Sequence, residues 1–272
     1  MRWPGRQPIV SGTRVITKKT AADFDKMKVA GACVAAMHAA VREAAAPGVT
    51  TRDLDGIARE VLAEHGCRSS FLGYGGANNP FPGVLCTSPN SVIVHGIPDD
   101  YTLAYGDIIS IDAGAIYEGW HGDAAFTMAI GDVPDEITNL LEVTERALWK
   151  GIEQAKAGNR LGDIGAAVEA EAAPDGLGVV REYVGHGIGR QMHEAPSVPN
   201  YGKPGKGLRL KTGMALAIEP MFNLGTPDSM VLEDGWTVVT ADDAWSAHFE
   251  HTVLLTKQGT IVSTLPEPLL IS

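Results

Sequence analysis

Cysteine is scarce in this chain: three residues, Cys33, Cys67 and Cys86, among 272. The number is odd, the spacing wide and no C-x-x-C occurs, which argues against a disulfide framework or a thiolate metal site and for a reducing compartment. No Lys/Arg cluster interrupts a formal net charge of −11, which argues against a nucleic-acid surface. No run approaches the roughly 20 apolar residues of a membrane span. The start, M-R-W-P-G-R-Q-P-I-V, lacks the apolar stretch of a signal peptide. These absences together lead us to expect a cytoplasmic protein with no membrane and no nucleic-acid partner.

What is present is an ordinary globular composition, 44% hydrophobic and 20% charged, in a chain long enough for one large α/β domain or two smaller ones. Residues 1–17 read as an extended, partly basic arm. Thr20 to Ala46 has helical spacing of Phe24, Met27, Val34 and Met37, and Pro47-Gly48 stops it. Thr50 can cap a second helix with Asp53 as its early acid, running to about His65. A third helix is expected from after Pro134 to about Ala157, and a fourth over Leu161 to Ala173. The order repeats. A-P-G-V-T-T-R-D-L-D-G-I-A (46–58) resembles A-K-A-G-N-R-L-G-D-I-G-A-A (155–167), and G-D-I-I-S-I-D (106–112) echoes G-M-A-L-A-I-E (213–219). The offsets are 110 for Asp53/Asp163 and 107 for Asp112/Glu219. Chance explains either match alone. Both in the same order favour one sheet-centred domain over 18–272, built from related halves at about 18–133 and 134–272, with acids from each half meeting at the middle.

Five residues of metal-binding type recur: Asp112, Asp123, His186, Glu219 and Glu250. Gly106 to Ile130 reads as a β-hairpin with Glu118, Gly119 and Trp120 in the turn. Folded about Tyr117–Glu118, it sets Asp112 opposite Asp123, a repulsive pair unless a cation lies between them. Glu219 and Glu250 close or enter apolar strands, where a carboxylate needs a partner. His186 stands in G-H-G-I-G, whose glycines would let backbone pack close to an imidazole ligand. Taken alone, such a string is more often a turn with an incidental histidine. His248 and His251 flank Glu250 and are ligands by type; alternation puts His248 on its face and His251 on the other. Oxygen donors with one imidazole suit Mn, Fe, Co or Zn. Four carboxylates would over-neutralise one ion, whereas two dications sharing them balance the charge. Such a pair can hold a hydroxide at neutral pH and polarise a carbonyl, which is hydrolytic chemistry.

The strings I-D-x-G…D-G-x-H-G-D, V-H-G-I-P, G-H-G-I-G-x-x-x-H-E, I-E-P-M and F-E-H-T together resemble the type I methionine aminopeptidases, from about Thr20 to about Leu265. The aspartates lie eleven apart and the glutamates thirty-one, in that family's order. The resemblance implies an α+β "pita-bread" domain with pseudo-two-fold symmetry, a curved, mostly antiparallel sheet backed by two helix pairs. It implies two divalent ions (Co, Mn, Fe or Zn) held by Asp112, Asp123, His186, Glu219 and Glu250. Asp112 would chelate one ion, Asp123 and Glu250 would bridge, and Glu219 would also pass protons. His95 would contact the substrate's amino end or scissile nitrogen, and His193 would stabilise the tetrahedral oxyanion. Tyr74, Cys86 and Trp236 would line the methionine pocket. The implied activity removes the initiator methionine from nascent chains whose second residue is small, near the ribosome, by a monomer of the short bacterial form.

The chain departs from that pattern in places. After Tyr74 it reads G-G-A-N-N-P-F-P-G-V-L-C, several residues longer than usual, Phe71 replaces a common Cys, Met192 a frequent Phe and Val94 a common Cys. Met and Phe are both large and apolar, so a methionine-shaped pocket is expected to survive. The alternative enzyme is a proline-directed aminopeptidase or dipeptidase of the same fold, which usually carries an added N-terminal domain. A metal-free interaction module fits less well, since all five ligands are present, and a two-His-one-carboxylate oxygenase fits least.

Overall fold

The computed structural model describes residues 16–272, so the arm expected at 1–17 lies almost wholly outside the described residues. Two helix pairs back the sheet. Helix α1 (Ala21–Ala44) begins at Thr20, whose backbone N–H donates to Asp23 Oδ2 at 2.8 Å while Asp23 N donates to the Thr20 hydroxyl at 3.3 Å. Helix α2 (Thr51–Glu64) repeats that reciprocal cap with Thr50 and Asp53. Helix α3 (Asp135–Gln154) follows Pro134 with Asp135 and Glu136 in its first turn. Helix α4 (Leu161–Ala172) starts where Asp163 accepts the Arg160 backbone N–H at 2.7 Å. α1 packs on α2 and α3 on α4. Phe24, Met27, Val34 and Met37 are all buried, as their spacing predicted, and each contributes about 2 kcal/mol.

Five strands carry the argument: β1 (Ile108–Tyr117), β2 (Trp120–Ala129), β3 (Gly185–Gly187), β4 (Ala215–Ile218) and β5 (Glu250–Leu255). They neighbour in the order β1-β2-β5-β4-β3, inside a larger sheet whose registered pairs are antiparallel. Leu85–Pro89 extends it beside β1, and Glu194–Val198 beside β3. β1 and β2 are buried along most of their length, because helices cover one face and the interior of the curved sheet covers the other. The arrangement is the α+β fold with a curved antiparallel sheet and two helix pairs that the resemblance implied. Isolated bridges join Thr50 to Thr102 and Arg160 to Arg209, just before α2 and α4. Their members are offset by 110 and 107 residues, the offsets already noted for Asp53/Asp163 and Asp112/Glu219.

The expected hairpin register is corrected. Glu118 and Gly119 both take positive φ, 47° and 80°, giving a two-residue turn, and Trp120 is the first residue of β2 rather than part of the turn. Pairing therefore runs Tyr117↔Trp120, Gly114↔Asp123 and Asp112↔Ala125. Asp112 is not directly opposite Asp123. The slip is two residues, one full side-chain period, so the two carboxylates stay on one face as diagonal neighbours.

Candidate active site

Each of five adjacent strands delivers one of the expected ligands to the same face. Asp112 lies in β1, Asp123 in β2, Glu250 at the start of β5, Glu219 just past the end of β4, and His186 in the middle of β3. Across the sheet Asp112 and Glu250 both register with Ala125, two residues along β2 from Asp123. His186 Nε2 stands 3.7 Å from Asp123 Oδ2 and 3.5 Å from Glu219 Oε1. His248 Nε2 stands 3.7 Å from Glu219 Oε2 and 4.0 Å from Glu250 Oε2. Two sets have donor atoms within 4.8 Å of one another: Asp123, His186 and Glu250, and Glu219, His248 and Glu250. His251 faces away, bonded to the Thr264 hydroxyl at 2.9 Å, as the alternation predicted.

The centre is held by its neighbours. The Thr252 hydroxyl accepts from Asp123 N at 3.0 Å and donates to Asp123 O at 2.8 Å, locking β2 to β5 beside the ligands. Asn200 donates to the Glu219 carbonyl at 2.9 Å. The glycines around His186 serve close strand approach: a Cβ at Gly185 would meet Ala217 O at 2.4 Å, and one at Gly187 would meet Ala195 O at 2.3 Å. His186 Nδ1 lies 2.9 Å from Gly187 O. A carbonyl only accepts, so Nδ1 carries the proton and the Nε2 lone pair faces the carboxylates, the tautomer a metal ligand requires.

Burial raises all four acids above the usual carboxylate range. Asp123 rises to about 7 and Glu219 to about 8, while Asp112 and Glu250 rise well beyond their ordinary values with the charge of Asp123 adding to the burial. Asp112 Oδ1, Asp123 Oδ1, Glu250 Oε1 and His248 Nε2 are buried without hydrogen-bond partners. Buried polar atoms are ordinarily paired, and four carboxylates meeting out of water repel one another. Orphaned oxygens converging with a correctly tautomerised imidazole fit a hard or borderline dication.

A buried apolar cluster adjoins this centre. Phe71, Phe81, Cys86 and Met192 form it, with Ile97 and Trp236 packed against it. Cys86 registers directly with Asp112, so the cluster reaches the strand next to the first carboxylate. The Phe81 ring stands 5.3 Å from Trp236 and 6.4 Å from Phe71, both edge-on. His95, at φ 61°, points its ring toward Tyr183 at 5.7 Å and Trp236 at 6.3 Å, and burial lowers it to about 4. The His193 ring lies 4.3 Å from that of His186, and burial pulls it well below the ordinary histidine range. The Tyr74 hydroxyl lies 2.6 Å from His193 Nδ1. Val94 packs with Ile93, Val180, Met221 and Val238 immediately before His95 in the chain.

Three site residues were missed by sequence reasoning. Phe81 belongs to the lengthened loop, which folds back so that Gly73 N donates to Phe81 O and Phe81 N to Tyr74 O, both at 2.8 Å. The aromatic-Pro pair Phe81-Pro82 just ahead of Cys86 was the available signal. His248 was recognised as a ligand type but left outside the set. Tyr183, three residues before His186, carried no signal at all.

The profile of metallopeptidase family M24 matches residues 25–257. Methionine aminopeptidase 1 of Bacillus subtilis is 46% identical over 245 residues, covering 90% of this chain and 97% of the relative. The crystal structure of methionine aminopeptidase from Thermotoga maritima superposes with a TM-score of 0.89 at 42% identity, covering 92% of this chain and all of that one, 100%. Prolidase from Pyrococcus furiosus has a TM-score of 0.72 at 21% identity, covering 93% of this chain and 66% of its own, a likeness of fold alone.

Proposed function

The chain belongs to metallopeptidase family M24, among the methionine aminopeptidases, and from that premise we propose how its residues remove the initiator methionine from nascent proteins. It is a metal-dependent aminopeptidase. The observation that carries the reading is the convergence of five candidate ligands from five adjacent strands, with orphaned carboxylate oxygens, beside a buried apolar cluster. The proline-directed alternative is not favoured, since those relatives share the fold at low identity.

Two divalent ions fit the donor set, and Asp112, Asp123, His186, Glu219 and Glu250 would hold them. Such ions supply Lewis-acid polarisation of a carbonyl and a water made acidic at neutral pH. Co, Mn, Fe and Zn all suit these donors. Glu219, beside the His186 ring at the centre, takes up the proton released as water adds to the scissile carbonyl and returns it to the departing nitrogen. His193 offers a ring N–H to the oxygen that gains charge. His95, kept neutral by burial, accepts from the substrate's amino end or meets the scissile nitrogen. Phe71, Phe81, Cys86, Met192 and Trp236 enclose an unbranched apolar side chain and exclude water from it. Past the scissile bond, steric exclusion selects a small second residue.

The site belongs to one catalytic domain, 18–272, whose halves at about 18–133 and 134–272 each give acids to the centre. The protein works as a cytoplasmic monomer near the ribosome, where its substrates emerge. No described helix is long and apolar enough to cross a membrane.

The test is hydrolysis of Met-Ala-Ser and Ala-Pro-Ala by chelator-treated protein with Mn, Co, Fe or Zn restored singly. Metal-dependent release of methionine alone is the expected result. Cleavage of the proline peptide instead would overturn the assignment.

A further inference from the structure

His186 and His193 lie with their rings 4.3 Å apart, yet their Nδ1 atoms meet partners of opposite chemistry. His186 Nδ1 faces the Gly187 carbonyl, which can only accept. His193 Nδ1 faces the Tyr74 hydroxyl at 2.6 Å, and a phenol can donate. An uncharged imidazole has one N–H, and the nitrogen that holds it decides whether the other edge offers a proton or a lone pair. Were His193 protonated on Nδ1, its Nε2 would carry a lone pair and have no proton to give to the oxygen that gains charge in the reaction. Donation by Tyr74 leaves the proton on Nε2.

The remaining freedom of His193 is ring rotation, because its backbone is tied down from the next residue. Glu194 Oε1 accepts from Arg190 N at 2.8 Å and Gln191 N at 3.2 Å. Its Oε2 accepts from the Lys19 ammonium at 2.8 Å and from the Thr17 hydroxyl, in a largely buried pair. Gly189, in the same turn, presses on this cluster so closely that an added Cβ would meet Lys19 Cε at 2.6 Å. With the turn fixed, one hydrogen bond from Tyr74 sets the orientation of the ring.

We infer that Tyr74 is a positioning residue that fixes the Nε2–H tautomer of His193, so that two adjacent histidines work as opposites, one a lone-pair ligand and one a proton donor. This rests on the reading of His193 as the group facing the oxyanion. It gives Tyr74 a part in the reaction that lining a pocket would not.

Long-range 1H–15N correlation on zinc-loaded protein with 15N-labelled histidine reads the tautomer directly. The expected spectrum places the proton of His193 on Nε2, and Tyr74→Phe weakens that preference while leaving His186 unchanged. In kinetics on Met-Ala-Ser, Tyr74→Phe should lower kcat roughly 10-fold with KM nearly constant, the signature of an interaction realised in the transition state. On a His193→Ala background the same substitution should cost nothing further, since Tyr74 acts through the ring. A proton on Nδ1 in the wild type would overturn the inference. So would single effects that multiply in the double variant. If the expected tautomer is found and methionyl peptides are not cleaved, the functional reading fails while the positioning stands.

Discussion

The carboxylate centre and the apolar cluster lie side by side and are built in opposite ways. Asp112, Asp123, His186, Glu219 and Glu250 stand on or directly beside paired strands, so each position is set by backbone register. Phe71, Phe81, Met192 and Trp236 stand in loops, and their positions are set by one another. A sheet can tolerate mutual repulsion among buried acids because its hydrogen bonds hold them in place. A loop-built pocket has only packing, so its shape changes with its members. The carboxylates here sit on the rigid element and most of the apolar side chains on the adaptable one.

The comparison can be broken most severely at the centre. Asp123→Asn removes a charge from the middle of the ligand set with little change in shape. Metal stoichiometry by elemental analysis should fall and hydrolysis of Met-Ala-Ser should drop by ~10³-fold or more. An enzyme that kept both would not use this centre. Phe81→Ala cuts into the pocket alone: kcat/KM for methionyl peptides should fall about 10- to 100-fold while metal affinity by titration holds. Loss of metal in that variant would show that pocket and centre are not separable.

Metal removal sharpens the contrast through pH. Asp123 and Glu219, raised to about 7 and 8, hold protons more readily folded than unfolded, so their stabilising contribution is complete below the ordinary carboxylate range and is lost as pH rises through those values. Below about pH 6.5 the depressed histidines His38, His95 and His121 act in the opposite sense, losing stability as pH falls. From about pH 7.5 to 8.5, above the titration of histidines in the unfolded chain, the acids dominate. Calorimetry of chelated protein should show stability falling as pH rises across that window, and metal-loaded protein should stay nearly flat. The smallest effect belongs to neither region. Arg52→Ala breaks an exposed pair with Asp100 and should change stability by less than about 0.5 kcal/mol, measured by urea unfolding.

The helices were legible because their stops and starts are local chemistry. The Thr50/Asp53 cap lies where the residue spacing placed it, Thr20 stands at the start of α1, and Pro134 marks the start of α3. The hairpin was legible as a hairpin but not in register, since nothing nearby announces that Glu118 will accept a positive φ. His248 was visible as a ligand type and yet not as a neighbour of Glu219. That contact depends on Thr127, whose hydroxyl exchanges hydrogen bonds with the His248 backbone across the fold at 2.8 and 2.9 Å. Phe81 was hidden in a loop whose closure joins residues brought together by no periodicity.

By itself, then, the sequence determined which acids and which histidine its strands bring together, because side-chain type and two-residue alternation are local properties. Only the tertiary structure decided which nitrogen of each histidine meets the centre, which aromatic rings wall the pocket, and how the two aspartates face each other. Those depend on partners far apart in the chain, and a hydrogen bond between Tyr74 and His193, 119 residues away, leaves no mark on the residues between them.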